Sequence, residues 1–303
     1  MRRSRFFCFY LFIGILVFNS CAKVDNNARD FSFVFMTDLH LKPDSTISSA
    51  FDRVIDTVNS LGVDFVISGG DQVYDVMRGN VQRSDSLFQF FLEKKKRFNV
   101  PVYTTVGNHD LFGIYEESDV DSTHIDYKTG MYQRYLGEPY YSFDHKNWHF
   151  VVLNSLDVQD KKYIGKVDSD QMKWLKADLA EIPAETPVVV ALHIPLVSAF
   201  KQVYPATGSD EAYHKPMVIN RSEILELLQQ YNVKLVLQGH LHWLEDLAIE
   251  NRTHYITGGS VAGRPSWRGT RHGPQGFLHF HVSGDEVTWD YIDYGGGKSF
   301  RVN

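Results

Sequence analysis

Phe31-Ser-Phe-Val-Phe-Met-Thr-Asp-Leu-His40 is an aromatic and β-branched run that stops abruptly on an acid and an imidazole. Phe31–Thr37 reads as a strand, and Asp38-Leu39-His40 as the loop that leaves its carboxyl end. The same arrangement recurs down the chain. A strand over Asp64–Ser68 runs into Gly70-Asp71, and one over Val100–Val106 runs into Gly107-Asn108-His109-Asp110. Val188–His193 ends on its own histidine, and Lys234–Gln238 leads into Gly239-His240-Leu241-His242. In open α/β sheets, ligand-binding groups gather outside the carboxyl ends of the strands, so these five loops are expected to converge.

Helical segments lie between the strands. Phe51, Val54, Ile55, Val58 and Leu61 recur at helical spacing, as do Leu87, Phe88, Phe91 and Leu92. Gln171–Leu179 and Arg221–Tyr231 read as two further helices, and Tyr140–Phe143 with Trp148–Asn154 as a hairpin pair. After Trp243 the pattern changes to short strands at Leu247–Ile249, His254–Thr257, Phe277–Val282 and Glu286–Tyr291. No linker, repeat or long charge block interrupts residues 31–303, which predicts one α/β domain with helices packed outside sheets. Glu93-Lys-Lys-Lys-Arg97 reads as a solvated helix end, where cations suit the helix dipole. Asp119–Thr129 is polar and acidic and is expected to be a surface loop near the site.

The chain has 303 residues, 43% of them hydrophobic, and a net charge of −6. That acidity speaks against a nucleic-acid partner, whose phosphates require a basic surface. The N-terminus stands apart. Arg2, Arg3 and Arg5 precede an apolar run from Phe6 to Phe18, shorter than the roughly 20 residues that span a bilayer. Asn19, Ser20 and Cys21 follow. The segment resembles a bacterial lipoprotein signal. The resemblance implies a signal peptide at 1–20, a lipidated Cys21, a tether at 21–30, and export. The domain would then sit on the bacterial cell envelope, facing the periplasm or the cell surface, with a lipid anchor as its only membrane contact. Cys8 and Cys21 are the only two cysteines, so no disulfide is available to the domain.

Five of the thirteen histidines fall in the five loops. Together the loops offer three carboxylate or amide oxygens and four imidazoles beyond His109, a donor set able to hold two metal ions. Two ions about 3.5–4 Å apart can bind phosphate oxygens and stabilise an in-line displacement. The motifs resemble the calcineurin-like metallophosphoesterase pattern D-x-H, G-D, G-N-H-[DE], H, G-H-x-H, over about Phe31 to Trp243. The branches in view are purple acid phosphatases and cyclic nucleotide phosphodiesterases.

That resemblance implies a four-layer α/β/β/α sandwich in a single domain, with the metals at one edge. Asp38, His40 and His242 would ligate one metal, and Asn108, His193 and His240 the other, with Asp71 between them. The two ions would be divalent or trivalent: Mn, Fe or Zn. His109 would contact the phosphate and protonate the leaving oxygen, and Asp110 would orient a neighbouring group. The substrate would be a phosphate ester, mono- or diester, attacked in line by a metal-bridging hydroxide.

Tyr74 matches the tyrosine of the G-D-x-x-Y motif of purple acid phosphatases, which ligates ferric iron. Those enzymes carry D-x-G where this chain has His40, so Tyr74 is either a ligand or a residue behind the ligands or beside the substrate. The Gly-rich stretch from Thr257 to His272 carries Arg264, Arg268 and Arg271; it either closes over the phosphate or is a plain flexible loop. Substrate choice is expected from Gly113–Tyr135 and Ala199–Lys215, which contain Tyr115, Tyr204, Tyr213 and His214. His279 and His281 alternate on a strand, share a face and read as structural. The alternative from another class is a non-catalytic surface lipoprotein that uses the fold to bind a ligand or partner.

Overall fold

The structure is a computed structural model that describes residues 30–203, 217–261, 275–293 and 299–302. The signal at 1–20, the tether except its last residue, and Arg264, Arg268 and Arg271 lie outside the described residues, as do Tyr204, Tyr213 and His214.

The first half runs β1 (Phe31–Met36), α1 (Ser45–Leu61), β2 (Phe65–Ser68), α2 (Val81–Lys95), β3 (Val102–Thr104) and α3 (Gly130–Leu136). The hairpins β4 (Tyr141–His145)/β5 (Trp148–Val152) and β6 (Leu156–Gln159)/β7 (Lys162–Gly165) follow, then α4 (Ser169–Ala180) and β8 (Val188–Ala191). The rest is α5 (Phe200–Val203), α6 (Arg221–Leu228), β9 (Val233–Gln238), β10 (Glu245–Ile249), β11 (Thr253–Thr257), β12 (Gly276–Ser283), β13 (Glu286–Asp293) and β14 (Ser299–Val302).

Two six-stranded sheets result, ordered β14-β13-β12-β1-β2-β3 and β10-β11-β9-β8-β5-β4. Within them β1, β2 and β3 are mutually parallel, as are β5, β8, β9 and β11. The alternation of side chains along a strand then sorts the core. Phe33, Phe35, Phe65 and Ile67 of the first sheet meet Phe150, Val189, Leu235 and Leu237 of the second. The opposite faces, with Val34, Met36 and Val66 on one and Val151, Val190 and Val236 on the other, join the apolar helix residues. Those are Phe51, Val54, Ile55, Val58, Phe88 and Phe91 from α1 and α2, and Met172, Leu175, Leu179, Ile224 and Leu228 from α4 and α6. The layering is α/β/β/α in one domain, as expected.

Aromatic rings fill the space between the sheets. Phe33 stacks on Phe65 at 5.2 Å and on Phe280 at 4.7 Å, and Phe65 meets Phe150 edge-on at 5.2 Å. Such pairs add about 0.5–1.5 kcal/mol beyond the area they bury.

Three local features differ from the sequence reading. Lys94 and Arg97 are not simply solvated: Lys94 Nζ lies 2.6 Å from Asp52 Oδ1, and Arg97 pairs with Asp52 and Asp56, joining α2 to α1. The β6/β7 hairpin was not expected. Its turn holds Asp160 and Lys161 at φ 50° and 55°, the left-handed pair of a type I′ turn, but Lys161 stands where glycine would advertise it. Inside the expected loop Gly113–Tyr135, α3 begins at Gly130, and Arg134 fixes the exposed stretch before it through Asp126 at 2.9 Å.

Phe33 is fully buried, so Phe33→Ala should cost about 3–5 kcal/mol. In urea titrations the midpoint should fall at unchanged slope; a loss under about 1 kcal/mol would mean the inter-sheet stack is not what holds the sheets together.

Candidate metal centre

All five motif loops leave the carboxyl ends of parallel strands and meet at one edge of the sandwich. Asp38 and His40 follow β1, Asp71 follows β2, and Asn108–Asp110 form a short 3-10 turn after β3. His193 follows β8, and His240 and His242 follow β9. Asp38, His40, Asp71, His240 and His242 have φ of 56°, 45°, 54°, 69° and 51°. L-residues with side chains rarely adopt this left-handed region, at a cost of order 1–3 kcal/mol each.

Backbone hydrogen bonds hold them there. Asp38 N–H donates to Gly70 C=O at 3.0 Å, and His40 N–H to Asp71 C=O at 2.8 Å. His240 N–H donates to Asp38 Oδ2 at 3.0 Å. Two glycines permit the closest approaches. A Cβ on Gly70 would fall 2.4 Å from His193 Nδ1, and one on Gly107 would fall 1.9 Å from the Asp71 nitrogen.

The side chains form two overlapping sets. In the first, His40 Nε2 lies 3.2 Å from His242 Nε2, His242 Nε2 3.0 Å from Asp38 Oδ1, and His40 Nε2 3.6 Å from Asp71 Oδ2. One donor atom from each of these four residues lies within 4.8 Å of all the others, a group able to hold a metal ion. Asp38 Oδ1 is buried and makes no well-formed hydrogen bond, although His242 Nε2 is so near. In the second set, His193 Nε2 is 3.4 Å from Asp71 Oδ2 and 3.1 Å from Asn108 Oδ1. The His193 and His240 rings stand 5.2 Å apart. His193 Nδ1 sits 2.8 Å from the Gly69 carbonyl. A carbonyl only accepts, so Nδ1 carries the hydrogen and Nε2 offers its lone pair to the centre. Converging lone pairs around a carboxylate common to both sets fit two metal ions. The structure thus gathers Asp38, His40, Asp71 and His242 into one group and sets His193 beside Asp71 and Asn108, with the His240 ring facing that of His193.

The electrostatics suit that reading. Burial works against ionisation of Asp38, yet His242 holds its carboxyl well below the usual carboxylate range. Asp71 is likewise held down by His193 and His109 against its burial. Burial and then His109 push His40 down, and burial pushes His109 down. His193 is the exception: burial opposes its charge, but Asp71 carries it up to about 9. A metal ion taking Nε2 would displace that proton.

A cavity of about 160 Å³ opens over the two sets, walled by Asp71, Asn108, His109, His240 and His242. Met77, Arg78, Tyr115 and Tyr163 complete it. The Arg78 guanidinium lies 4.1 Å from the Tyr115 ring centroid, with Asp75 at 3.4 Å and Glu117 at 3.5 Å. Asn108 Nδ2 is 3.9 Å from Met77 Sδ, which turns Oδ1 of the amide toward His193. Of these four only Tyr115 was singled out in the sequence. Arg78 lies one short turn beyond the Gly70-Asp71 motif, and Tyr163 rides on the unrecognised β6/β7 hairpin.

Two of the expected residues lie off the cavity wall. Asp110 does not line the cavity. Its fully buried carboxyl group, pushed up to about 8 by burial and Asp71, accepts N–H groups from Gly107 at 2.8 Å, Gln72 at 2.9 Å and Val73 at 3.2 Å. It clamps the loop after β2 to the loop after β3; what it orients is backbone. Tyr74 also lies outside the cavity wall, its ring 6.5 Å from that of His109 and 5.0 Å from Lys42 Nζ. His279 and His281 share a face as expected, 4.0 Å apart, and His281 pairs with Asp290 at 3.3 Å.

The chain belongs to the calcineurin-like phosphoesterase family, whose model matches residues 31–244. It is 29% identical to human tartrate-resistant acid phosphatase type 5 over 282 residues, covering 81% of this chain and 80% of that one. Purple acid phosphatase 22 of Arabidopsis thaliana is 31% identical over 150 residues, 48% of this chain and 31% of the relative. A dimetal phosphatase of Danio rerio shares the fold at TM-score 0.60 and 14% identity, over 91% of this chain and all of that one. A yellow lupin purple acid phosphatase does so at TM-score 0.64 and 14% identity, over 90% of this chain and 53% of that one. The protein is a metal-dependent phosphoric ester hydrolase.

Asp71 is the one carboxylate in both sets. Asp71→Asn should leave the purified protein with clearly fewer than two metal ions per chain by elemental analysis, because a neutral amide balances dications poorly. Two ions and wild-type turnover in that variant would remove Asp71 from the centre.

Proposed function

We propose that the protein is a phosphomonoesterase in which His109 hands a proton to the leaving oxygen. The observation that carries this reading is the place of His109. Its imidazole lines the cavity beside both donor sets, edge-on to His40 at 4.6 Å. Its backbone N–H donates to Asp71 Oδ1 at 2.7 Å, so the shared carboxylate also fixes where the ring stands. The family pattern gives the neighbouring Asn108 to the metal and leaves His109 to the substrate. The monoester reading draws on the small cavity, which suits a phosphoryl group, and on relatives named acid phosphatases.

Asp38, His40 and His242 would hold one ion, Asn108, His193 and His240 the other, and Asp71 both. Bound there, two metal ions supply Lewis acidity and lower the pKa of water. Asp71 and Asn108 position the phosphoryl group by fixing where its oxygens are drawn. Burial pushes the His109 imidazole down; an arriving phosphate dianion favours the imidazolium, which then donates to the leaving oxygen. Arg78, over the Tyr115 ring, lines the cavity with a planar guanidinium, a group suited to phosphate oxygens. The N-terminal segment adds export and a lipid anchor at Cys21 to this reading, with the domain on the bacterial envelope.

His109→Ala should retain its metals and lose about 10²–10⁴-fold in turnover of alkyl phosphates. The loss should be smaller for 4-nitrophenyl phosphate, whose leaving group needs no proton. His240→Ala should instead lose metal and slow both substrates alike. Metal content measured beside turnover decides; equal slowing of both esters by His109→Ala would sink the proton-donor role. For the anchor, Cys21→Ser should abolish labelling by a fatty-acid analogue and move the protein into the aqueous phase on detergent partition. Unchanged labelling would overturn it.

A further inference from the structure

The cavity over the metal-binding residues, about 160 Å³, holds little beyond a phosphoryl group, so most of a substrate must lie outside it. A groove of about 500 Å³ is walled in part by Tyr74, a size typical of ligand sites. His109 walls the cavity and Tyr74 walls the groove, and their rings are 6.5 Å apart. Lys42, also on the groove wall, follows His40 by two residues, which bounds their Cα separation at about 7 Å. A leaving group that takes its proton from His109 therefore departs beside this groove.

The groove is cationic although the chain as a whole carries −6. Lys42 Nζ stands 5.0 Å over the Tyr74 ring. Its one acidic neighbour on the groove wall, Asp44, lies 3.9 Å away, and that carboxylate also accepts the Ile47 N–H at 3.3 Å. Arg83 projects from the first turn of α2, where a backbone carbonyl pins it: Nη1 donates to Asp75 C=O at 2.9 Å. No carboxylate pairs with Arg83 among the described residues. Its planar fork thus keeps N–H donors for an anion, and Lys42 adds a point charge.

Resting on the phosphomonoesterase reading, we infer that this groove is a leaving-group subsite, and that it selects esters whose leaving group carries a second phosphate. Lys42 and Arg83 bind that second phosphate while the first reacts. The water oxygen joins phosphorus, keeping one hydrogen in the released phosphate and giving its other proton to solvent; the bond from phosphorus to the leaving oxygen breaks, and the proton from His109 goes to that oxygen. The product alcohol departs still phosphorylated.

The test uses the metal-loaded enzyme and two matched substrates, butane-1,4-diol bisphosphate and butyl phosphate, followed by phosphate release. The wild type should favour the bisphosphate in kcat/KM well beyond the twofold that its two equivalent ends supply. Lys42→Ala and Arg83→Ala should each lower that preference roughly fivefold, in the range of exposed charge pairs, chiefly through KM. Arg83→Lys should recover part of it, and added salt should erode it in the wild type. A wild type with no preference beyond twofold, or variants that slow both substrates alike, would overturn the subsite. A wild type that cleaves neither ester, nor 4-nitrophenyl phosphate, would instead overturn the phosphomonoesterase reading and the subsite with it.

Discussion

The carboxylate of Asp71 stands between two imidazoles that come from opposite halves of the sandwich. His40 Nε2 is 3.6 Å from its Oδ2 and His193 Nε2 is 3.4 Å from the same atom, while Oδ1 takes the His109 N–H at 2.7 Å. His40 leaves β1 of the first sheet and His193 leaves β8 of the second. The contact therefore exists only when the sheets pack face to face. The aromatic stack of Phe33, Phe65 and Phe150 behind it sets that spacing. A shift of the sheets by an ångström would separate the two donor sets, and a carboxylate common to both would no longer reach each of them.

Building the centre costs free energy that the rest of the fold must offset. Five residues of the two donor sets sit at left-handed φ, and charged or lone-pair-bearing groups are buried almost completely. Asp110 shows how the scaffold responds. It spends a buried carboxyl group on three backbone N–H groups, joining the loop after β2 to the loop after β3. Gly70 and Gly107 let those loops approach more closely than any side chain would allow. Metal ions at the centre would bind only the folded arrangement, so their affinity adds to stability.

The surroundings of the centre divide the recognition of a substrate by space. The narrow cavity with Arg78 and Tyr115 suits the reacting phosphoryl group, whereas the larger groove with Lys42 and Arg83 is walled in part by Tyr74. The loop after β2 contributes to both, through Asp71, Met77 and Arg78 in the cavity and Tyr74 in the groove. Human tartrate-resistant acid phosphatase type 5 aligns over 81% of this chain at 29% identity, which leaves room for such loops to differ between relatives.

Much of the fold and the donor set was legible in the sequence because each motif directly follows a strand whose period can be read. That the loops carrying Asp38, His40, Asp71, Asn108, His193, His240 and His242 converge followed from the rule that ligand groups collect beyond strand carboxyl ends; which of their residues would face metal came from the family pattern. The alternation of Phe31–Met36 and the helical spacing from Phe51 to Leu61 likewise report their own burial. Other features had no local signal. The β6/β7 hairpin turns on Asp160-Lys161, without a glycine, so Tyr163 could not be placed at the cavity. Arg78 reads as any exposed arginine until Tyr115, 37 positions later, comes to lie under it. Asp110 looks catalytic from its motif, and only the folded loops reveal that its partners are backbone donors. The sequence by itself determined which atoms could bind metal, since ligand chemistry resides in residue type and in position after a strand. The tertiary structure alone decided which of them share Asp71 and which side chains enclose the substrate, because those contacts join residues whose separation along the chain carries no period.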